Sequence, residues 1–209
     1  MEILYFRELS STQSYLVENI RNGSKKEIAV VASIQTQGVG SRGDSWVSEE
    51  GNLFASFALK EESLPADLPK ISFSVYFSWL MVEVLRELGS EVWLKWPNDL
   101  YLGGDKVGGV ITNYLKGFLV VGVGINLKNN GTFRGLDIEV EIETILKNYI
   151  KKLESPKEWR VIHRDLEVEF ERSRDFKIHS GDEVLGLKDA KFLPDGSLEI
   201  NHKRVVSAR

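Results

Sequence analysis

The sequence predicts an α+β fold: a mixed β-sheet with helices packed on one face, followed by a small β-rich appendage. Three observations carry that expectation. Strand-like and helix-like runs are mixed along the 209 residues. Several neighbouring strands follow one another across tight turns, without the helical crossovers that a parallel sheet requires. The C-terminal stretch holds only short strand-like pieces.

The elements follow in order. Residues 3–6 form a short strand. Ser10, Ser11 and Thr12 then precede an amphipathic stretch over residues 13–22, which Gly23 ends; hydroxyl residues before the apolar stripe and a glycine after it describe a capped helix. Residues 28–34 are rich in β-branched side chains. Residues 35–51 are rich in glycine and serine and show no usable period, so they read as a long loop of the kind that is usually functional or disordered. Residues 52–60 form a strand. Residues 69–88 form a long helix stopped by Gly89. Its uncharged portion covers only residues 71–82, whereas a membrane span needs about 20 residues; it is a buried helix. Residues 92–96 make a strand ended by Pro97. Residues 101–102, 107–114 and 118–125 make successive strands, with tight turns at Gly103–Gly104 and Lys116–Gly117. Residues 139–153 and 156–172 carry helical spacing. From Phe176 onward short strands surround a turn at Pro194, Asp195 and Gly196. The expected organisation is a main domain over residues 1–175 and a small β-barrel over residues 176–209, close to the size at which a piece cannot fold alone.

Composition narrows the function classes. The chain is 42% hydrophobic and 28% charged, as ordinary globular proteins are. A net charge of −4 supplies no global basic field for nucleic acid or an anionic membrane. The absence of cysteine excludes disulfides, thiolate nucleophiles and cysteine-bound zinc, and is compatible with a reducing cytoplasm. The first residues carry early acidic side chains and no signal-peptide core. No internal repeat or low-complexity segment stands out.

Some motifs mislead. The glycines at 38, 40 and 43 fit a dinucleotide fingerprint, but no helix follows them, which that fingerprint requires. His163, Arg164, Asp165 and Leu166 mimic a kinase catalytic loop, yet Phe170 stands where asparagine is needed, and only Asp175, Phe176 and Lys177 follow. The apolar spacing of Trp159, Ile162, Leu166 and Phe170 makes this run an amphipathic helix. His163, His179 and His202 lack metal-ligand spacing. No serine sits in a nucleophile elbow.

Three segments remain that folding does not require. In the first, Gly38, Gly40 and Gly43 let backbone N–H groups approach an anion, and Arg42 adds a charge. In the second, Lys95, Asn98, Asp99 and Lys106 fall within twelve residues around Pro97; lysine can neutralise a transferring phosphoryl group, and a carboxylate can hold Mg²⁺. In the third, the strand glycines Gly122 and Gly124 precede Asn126. Such glycines mark a close approach of ligand or backbone, and an asparagine can read an adenine edge. A flexible loop, a strand-end turn and a packing glycine pair are the bland accounts of the three.

Together these segments resemble the biotin–protein ligase family, in its short form without a DNA-binding domain. The matching stretches are Ser11, Thr12 and Gln13; Gln35 with the loop from Gly38 to Trp46; Gly51, Asn52 and Leu53; Lys95 to Asp99; Lys106 to Gly109; and Gly122 to Asn126. The Lys-Trp-Pro-Asn-Asp block is the most specific. The resemblance implies a mixed sheet like that of class II aminoacyl-tRNA synthetases, followed by an SH3-like barrel. It implies an ATP-dependent ligase that makes biotinyl-5′-AMP and passes biotin to a lysine of a biotin carboxyl carrier domain. By position, Lys106, Arg42 and Lys95 would be catalytic. Ser11, Thr12, Gln13, Gln35, Gly38, Gly40, Ser41, Arg42, Trp46, Lys106 and Gly108 would hold biotin. Gly40, Arg42, Gly43, Trp46, Asn98 and Asn126 would hold ATP or the adenylate, and Asp99 would hold Mg²⁺. A cytoplasmic enzyme is expected, with no DNA or membrane partner; a homodimer is compatible.

The family's loop usually has the form G-R-G-R-x-G-R. Here its arginine places hold Val39, Ser41 and Asp44, leaving only Arg42. Two other readings stay open: a lipoate or octanoate ligase, against which the Lys-Trp-Pro-Asn-Asp block argues, and a non-catalytic biotin binder, against which Lys106 argues.

Overall fold

The computed structural model describes residues 1–41, 45–129, 131–181 and 183–206. The strands are β1 (Glu2–Leu9), β2 (Ile28–Gln35), β3 (Gly38–Val39), β4 (Ser45–Trp46), β5 (Leu53–Lys60), β6 (Trp93–Lys95), β7 (Asp99–Leu102), β8 (Asp105–Leu115), β9 (Phe118–Ile125), β10 (Lys177–Ser180), β11 (Glu183–Gly186), β12 (Lys191–Phe192), β13 (Leu198–Ile200) and β14 (Lys203–Val205). The helices are α1 (Thr12–Arg21), α2 (Phe73–Glu87), α3 (Ile142–Glu154) and α4 (Trp159–Phe170).

Seven strands form the main sheet in the order β1-β2-β5-β9-β8-β7-β6. Only β1 and β2 pair in parallel; the other neighbours are antiparallel. This is the mixed sheet that the mixture of elements implied. Its hairpins use the turns read from sequence: Lys116 (φ 48°) and Gly117 (φ 77°) both adopt the left-handed conformation, which a two-residue turn needs to match strand twist.

Strand alternation sorts the core. Leu53, Ala55, Phe57 and Leu59 of β5, with Leu119, Val121, Val123 and Ile125 of β9, face α2, α3 and α4. Twelve residues of α2 are buried, as expected of a helix that is apolar on nearly every side. The alternate residues face the other way. There α1 covers Val30, Ala58, Phe118 and Val120 with Leu16 and Ile20. Three of the four helices thus share the expected face, and α1 lies on the opposite one. Its buried stripe begins with two polar residues, Thr12 and Gln13, which a purely structural helix would not place there.

The tail forms a two-stranded sheet, β10 with β11, and a three-stranded sheet of β12, β13 and β14. These strands do not stand apart. Ile178, Leu187, Ala190, Leu198, Ile200 and Val205 belong to the same apolar core as α2 and α4. The indoles of Trp96 and Trp159 donate to the carbonyls of Gly196 and Pro194, each at 3.0 Å. A ring nitrogen of His163 lies 3.0 Å from the carbonyl of Leu193, so this histidine joins α4 to the tail.

Candidate active site

On the face away from α2 the sheet carries small residues. Ser56, Gly122, Gly124, Gly109 and Ile111 share that face: Ser56 pairs with Gly122, Gly122 with Ile111, and Gly124 with Gly109. These residues floor a cleft. Ser11, Thr12 and Gln13, at the start of α1, wall it, and Val39, Gly40, Ser41 and Trp46 of the β3–β4 hairpin close over it. Asn98 and Lys106 stand at its far end. The cleft encloses about 420 Å³, of which only about 30 Å³ is wide enough to seat the centre of a water molecule.

The glycines are what let the cleft exist. A Cβ on Gly122 would stand 2.5 Å from Gln13 Oε1 and 3.0 Å from Ile111 Cγ1; one on Gly124 would stand 2.7 Å from the indole of Trp46. Neither could be added without moving the α1 wall or the hairpin.

Polar groups at the closed end are ordered by one another. Thr12 donates its backbone N–H (2.8 Å) and its hydroxyl (3.1 Å) to Gln35 Oε1, and its hydroxyl lies 2.8 Å from that of the fully buried Ser56. Gln35 thereby turns its amide nitrogen toward Gly38, 3.2 Å from where a Cβ would be. Gln13 Nε2 donates to Asn113 Oδ1 (2.9 Å) and to the carbonyl of Val120 (3.1 Å). The Val120 bond fixes which end of that amide is nitrogen. Among the described residues its Oε1 is buried with no hydrogen-bond partner, as is Trp46 Nε1. A buried unpaired acceptor costs about 1–3 kcal/mol, a cost that an N–H donor brought to Gln13 Oε1 would remove.

The mouth is charged. Lys106 Nζ lies 2.6 Å from Asp99 Oδ1 and 5.6 Å from the centre of a Trp46 ring. Lys95 Nζ lies 3.9 Å from Asp99 Oδ2 and 3.4 Å from the Tyr101 hydroxyl. Burial, and next Asp99, hold that hydroxyl's pKa above the usual tyrosine range, so it stays neutral. Asn98 is fixed by a reciprocal pair with Val110, Nδ2 to O at 2.8 Å and N to O at 3.0 Å. Beyond Trp46 a second cavity of about 670 Å³ is lined by Gly40, Ser41, Ser45, Trp46, Val47, Lys106, Asn126 and Phe133.

Ser11, Thr12, Gln13, Gln35, Gly40, Ser41, Trp46, Asn98 and Lys106 are thus brought together, and Asn126 lies next door. Four expectations change. Gly38 pairs with Trp46 inside the hairpin instead of lining the cleft. Gly108 pairs with Ile125 and looks to the other face, so Gly109 takes the place expected of it. Lys95 reaches the site only through Asp99, packed near the rings of Tyr101 and Phe176. Asp99 does not line the cleft and is shared by two ammonium groups; among the described residues no group of three His, Asp or Glu side chains is placed to bind a metal. Arg42, Gly43 and Asp44 lie outside the described residues. Sequence reasoning missed Ser56, Ile111, Asn113 and Phe133. Ser56 was the findable one, a lone hydroxyl within a buried apolar strand.

Thr12→Val keeps the shape but removes the hydroxyl that joins Gln35 to Ser56. Losing one such bond and stranding a buried partner costs about 1–2 kcal/mol. The affinity of the small molecule that this cleft holds, measured by calorimetry, is expected to fall ~10-fold; unchanged affinity would show that this network does not shape the site.

A mixed sheet with one glycine-lined face, a polar slot behind a helix start and a lysine at the mouth has the build of a small-molecule site in an α+β protein. The biotin/lipoate A/B protein ligase family model matches residues 5–130, and the chain belongs to that family. It is similar to the biotin acetyl coenzyme A carboxylase synthetase of Helicobacter pylori, solved with bound biotinylated ATP: 41% identical, TM-score 0.95, with 98% of this chain and 99% of that one covered. The biotin protein ligase of Aquifex aeolicus, solved with biotin and ATP, shares the fold at TM-score 0.78 and 23% identity over 99% of this chain and 96% of that one. The bifunctional ligase/repressor BirA of Escherichia coli K12 is 37% identical over 126 residues, 57% of this chain and 38% of that protein. The chain spans about two fifths of the length of several curated relatives that it matches. Among the described residues no helix is long and apolar enough to cross a membrane.

Proposed function

We propose that this chain is a biotin–protein ligase: it activates biotin with ATP as biotinyl-5′-AMP and transfers the biotinyl group to a lysine of a biotin carboxyl carrier domain. The observation that carries the reading is the cleft itself. One end offers the unpaired Gln13 acceptor beside the Thr12–Gln35 pair, suited to a ureido ring with N–H donors and a carbonyl. The other end offers Lys106, suited to a carboxylate and a phosphate.

The chemistry follows from that layout. A biotin carboxylate oxygen attacks the α-phosphorus of ATP, the bond to the bridging oxygen breaks, and pyrophosphate leaves. Lys106 neutralises charge on the carboxylate and the α-phosphate. To do so it exchanges Asp99 for substrate oxygens, and Lys95, already 3.9 Å from the other Asp99 oxygen, keeps that carboxylate paired. The acceptor amine then attacks the acyl carbon, the C–O bond to phosphate breaks, AMP leaves and the amine loses a proton. Catalysis is positioning and charge stabilisation, with no covalent enzyme intermediate. In this reading Asn126 and Phe133, which line the second cavity, serve the adenine side. Mg²⁺ enters this reading as the partner of ATP's own phosphates.

The deciding experiment is ATP–pyrophosphate exchange with biotin, with lipoate and with neither, followed by transfer of labelled biotin to a carrier domain. Exchange dependent on biotin supports the reading. Dependence on lipoate would transfer it to the lipoate branch, and none at all would make the chain a binder.

Val39 and Ser41 line the cleft where the family usually has arginines. Each lost charge-assisted hydrogen bond is worth about 1.5–3 kcal/mol. The chain is therefore expected to release biotinyl-AMP faster than arginine-rich relatives and to label bystander lysines. Incubation with ATP, biotin and serum albumin checks this: Ser41→Arg should label albumin less. Equal, low labelling by both would end the idea.

A further inference from the structure

Strand β6 ends the main sheet, so Val92, Leu94 and Trp96 turn their backbone groups away from β7, toward the place where another strand would lie. Such an edge is ordinarily left to solvent or covered. Here side chains replace the missing strand. Arg86 Nε donates to the carbonyl of Val92 (2.8 Å). Leu94 donates its N–H to Glu169 Oε1 (3.0 Å), and Trp96 donates its N–H to Ser173 Oγ (3.1 Å). Arg86 Nη2 closes the set on Glu169 Oε1 (2.7 Å). Glu169 is 7% exposed and Ser173 fully buried. A carboxylate and a hydroxyl buried to this depth are held by what they bond, and what they bond is the strand carrying Lys95.

We infer that Glu169 and Ser173 are positioning residues for the nucleotide half of the site. They act through β6: its hairpin with β7 pairs Lys95 with Asp99, and Asp99 holds Lys106. The biotin half is built on α1, β2, β5 and β9, whereas the side-chain bonds of Glu169 and Ser173 go to Arg86, Leu94 and Trp96. The inference rests on the ligase reading, and it makes the two halves separable by mutation.

The test uses the full chain with Ser173→Ala, Glu169→Ala and the conservative variants Ser173→Thr and Glu169→Gln, which keep an acceptor oxygen. Biotin affinity is measured by calorimetry without ATP; exchange gives KM for ATP and kcat. The alanine variants should raise KM for ATP or lower kcat by about 10-fold or more, since small misplacements far from the chemistry reach ~10²-fold. Biotin affinity should stay within about twofold of the parent, and the conservative variants should restore most of the exchange. Equal loss of both halves would show a general structural role and overturn the inference, as would exchange unchanged in soluble alanine variants. If an alanine variant does not fold, Ser173→Thr and Glu169→Gln decide between the same outcomes through their KM for ATP: a value within about twofold of the parent supports the acceptor role, and a tenfold rise overturns it. A parent chain lacking biotin-dependent exchange would instead defeat the ligase reading, a result visible before any variant is made.

Discussion

Lys106→Ala is expected to lower biotin-dependent pyrophosphate exchange by ~10²–10³-fold, the usual cost of removing one charge aimed at developing negative charge. The fold should survive. The Lys106 side chain is 39% exposed, so its removal opens no cavity in the core. Asp99 keeps Lys95 within 3.9 Å, so the substitution does not strand a carboxylate alone. Biotin affinity should fall less than exchange, because in the proposed reading the ureido ring is held by Thr12, Gln13 and Gln35. The measurement is exchange rate beside a thermal melt. Normal exchange by a folded variant would remove Lys106 from the chemistry; lost exchange with a collapsed melting point would point to structure.

Removing residues 176–209 is expected to have the larger structural effect. Ile178, Leu187, Leu198, Ile200 and Val205 are each under 9% exposed and sit in the core shared with α2 and α4. Burying a side chain of that kind contributes about 1.5–3 kcal/mol. Together they rival the roughly 5–15 kcal/mol by which a whole domain is stable. Truncation would also uncover the indoles of Trp96 and Trp159 and take away their carbonyl partners. We expect the shortened chain to aggregate, or to show helical circular dichroism without a cooperative melt, and to lose exchange. A soluble truncation with a cooperative melt near that of the full chain and unchanged exchange would show that the tail is an independent appendage, and would favour the division at residue 175.

Elements whose signal is local were legible in the sequence. The capped helix after Ser11, the apolar helix ended by Gly89, the hairpin turn at Lys116–Gly117 and the Lys95 to Asp99 block all rest on neighbouring residues, whose types state their conformation directly. Much of the cleft's lining was legible for a similar reason, because loops such as residues 35–51 carry residue types that folding does not explain. Which glycine of Gly108 and Gly109 faces the cleft was not legible. That depends on strand register, and a shift of one residue sends every side chain to the opposite face. Nor could spacing show that Glu169 and Ser173 serve as a strand's missing neighbour, since those contacts join residues 75 to 83 positions apart in the chain. The sequence by itself determined the elements, the family resemblance and the residue types available to the chemistry. Only the tertiary structure decided which sheet face bears the cleft, which groups in it are left unpaired, and that the tail shares the core, because pairing, register and burial are properties of residues brought together from distant parts of the chain.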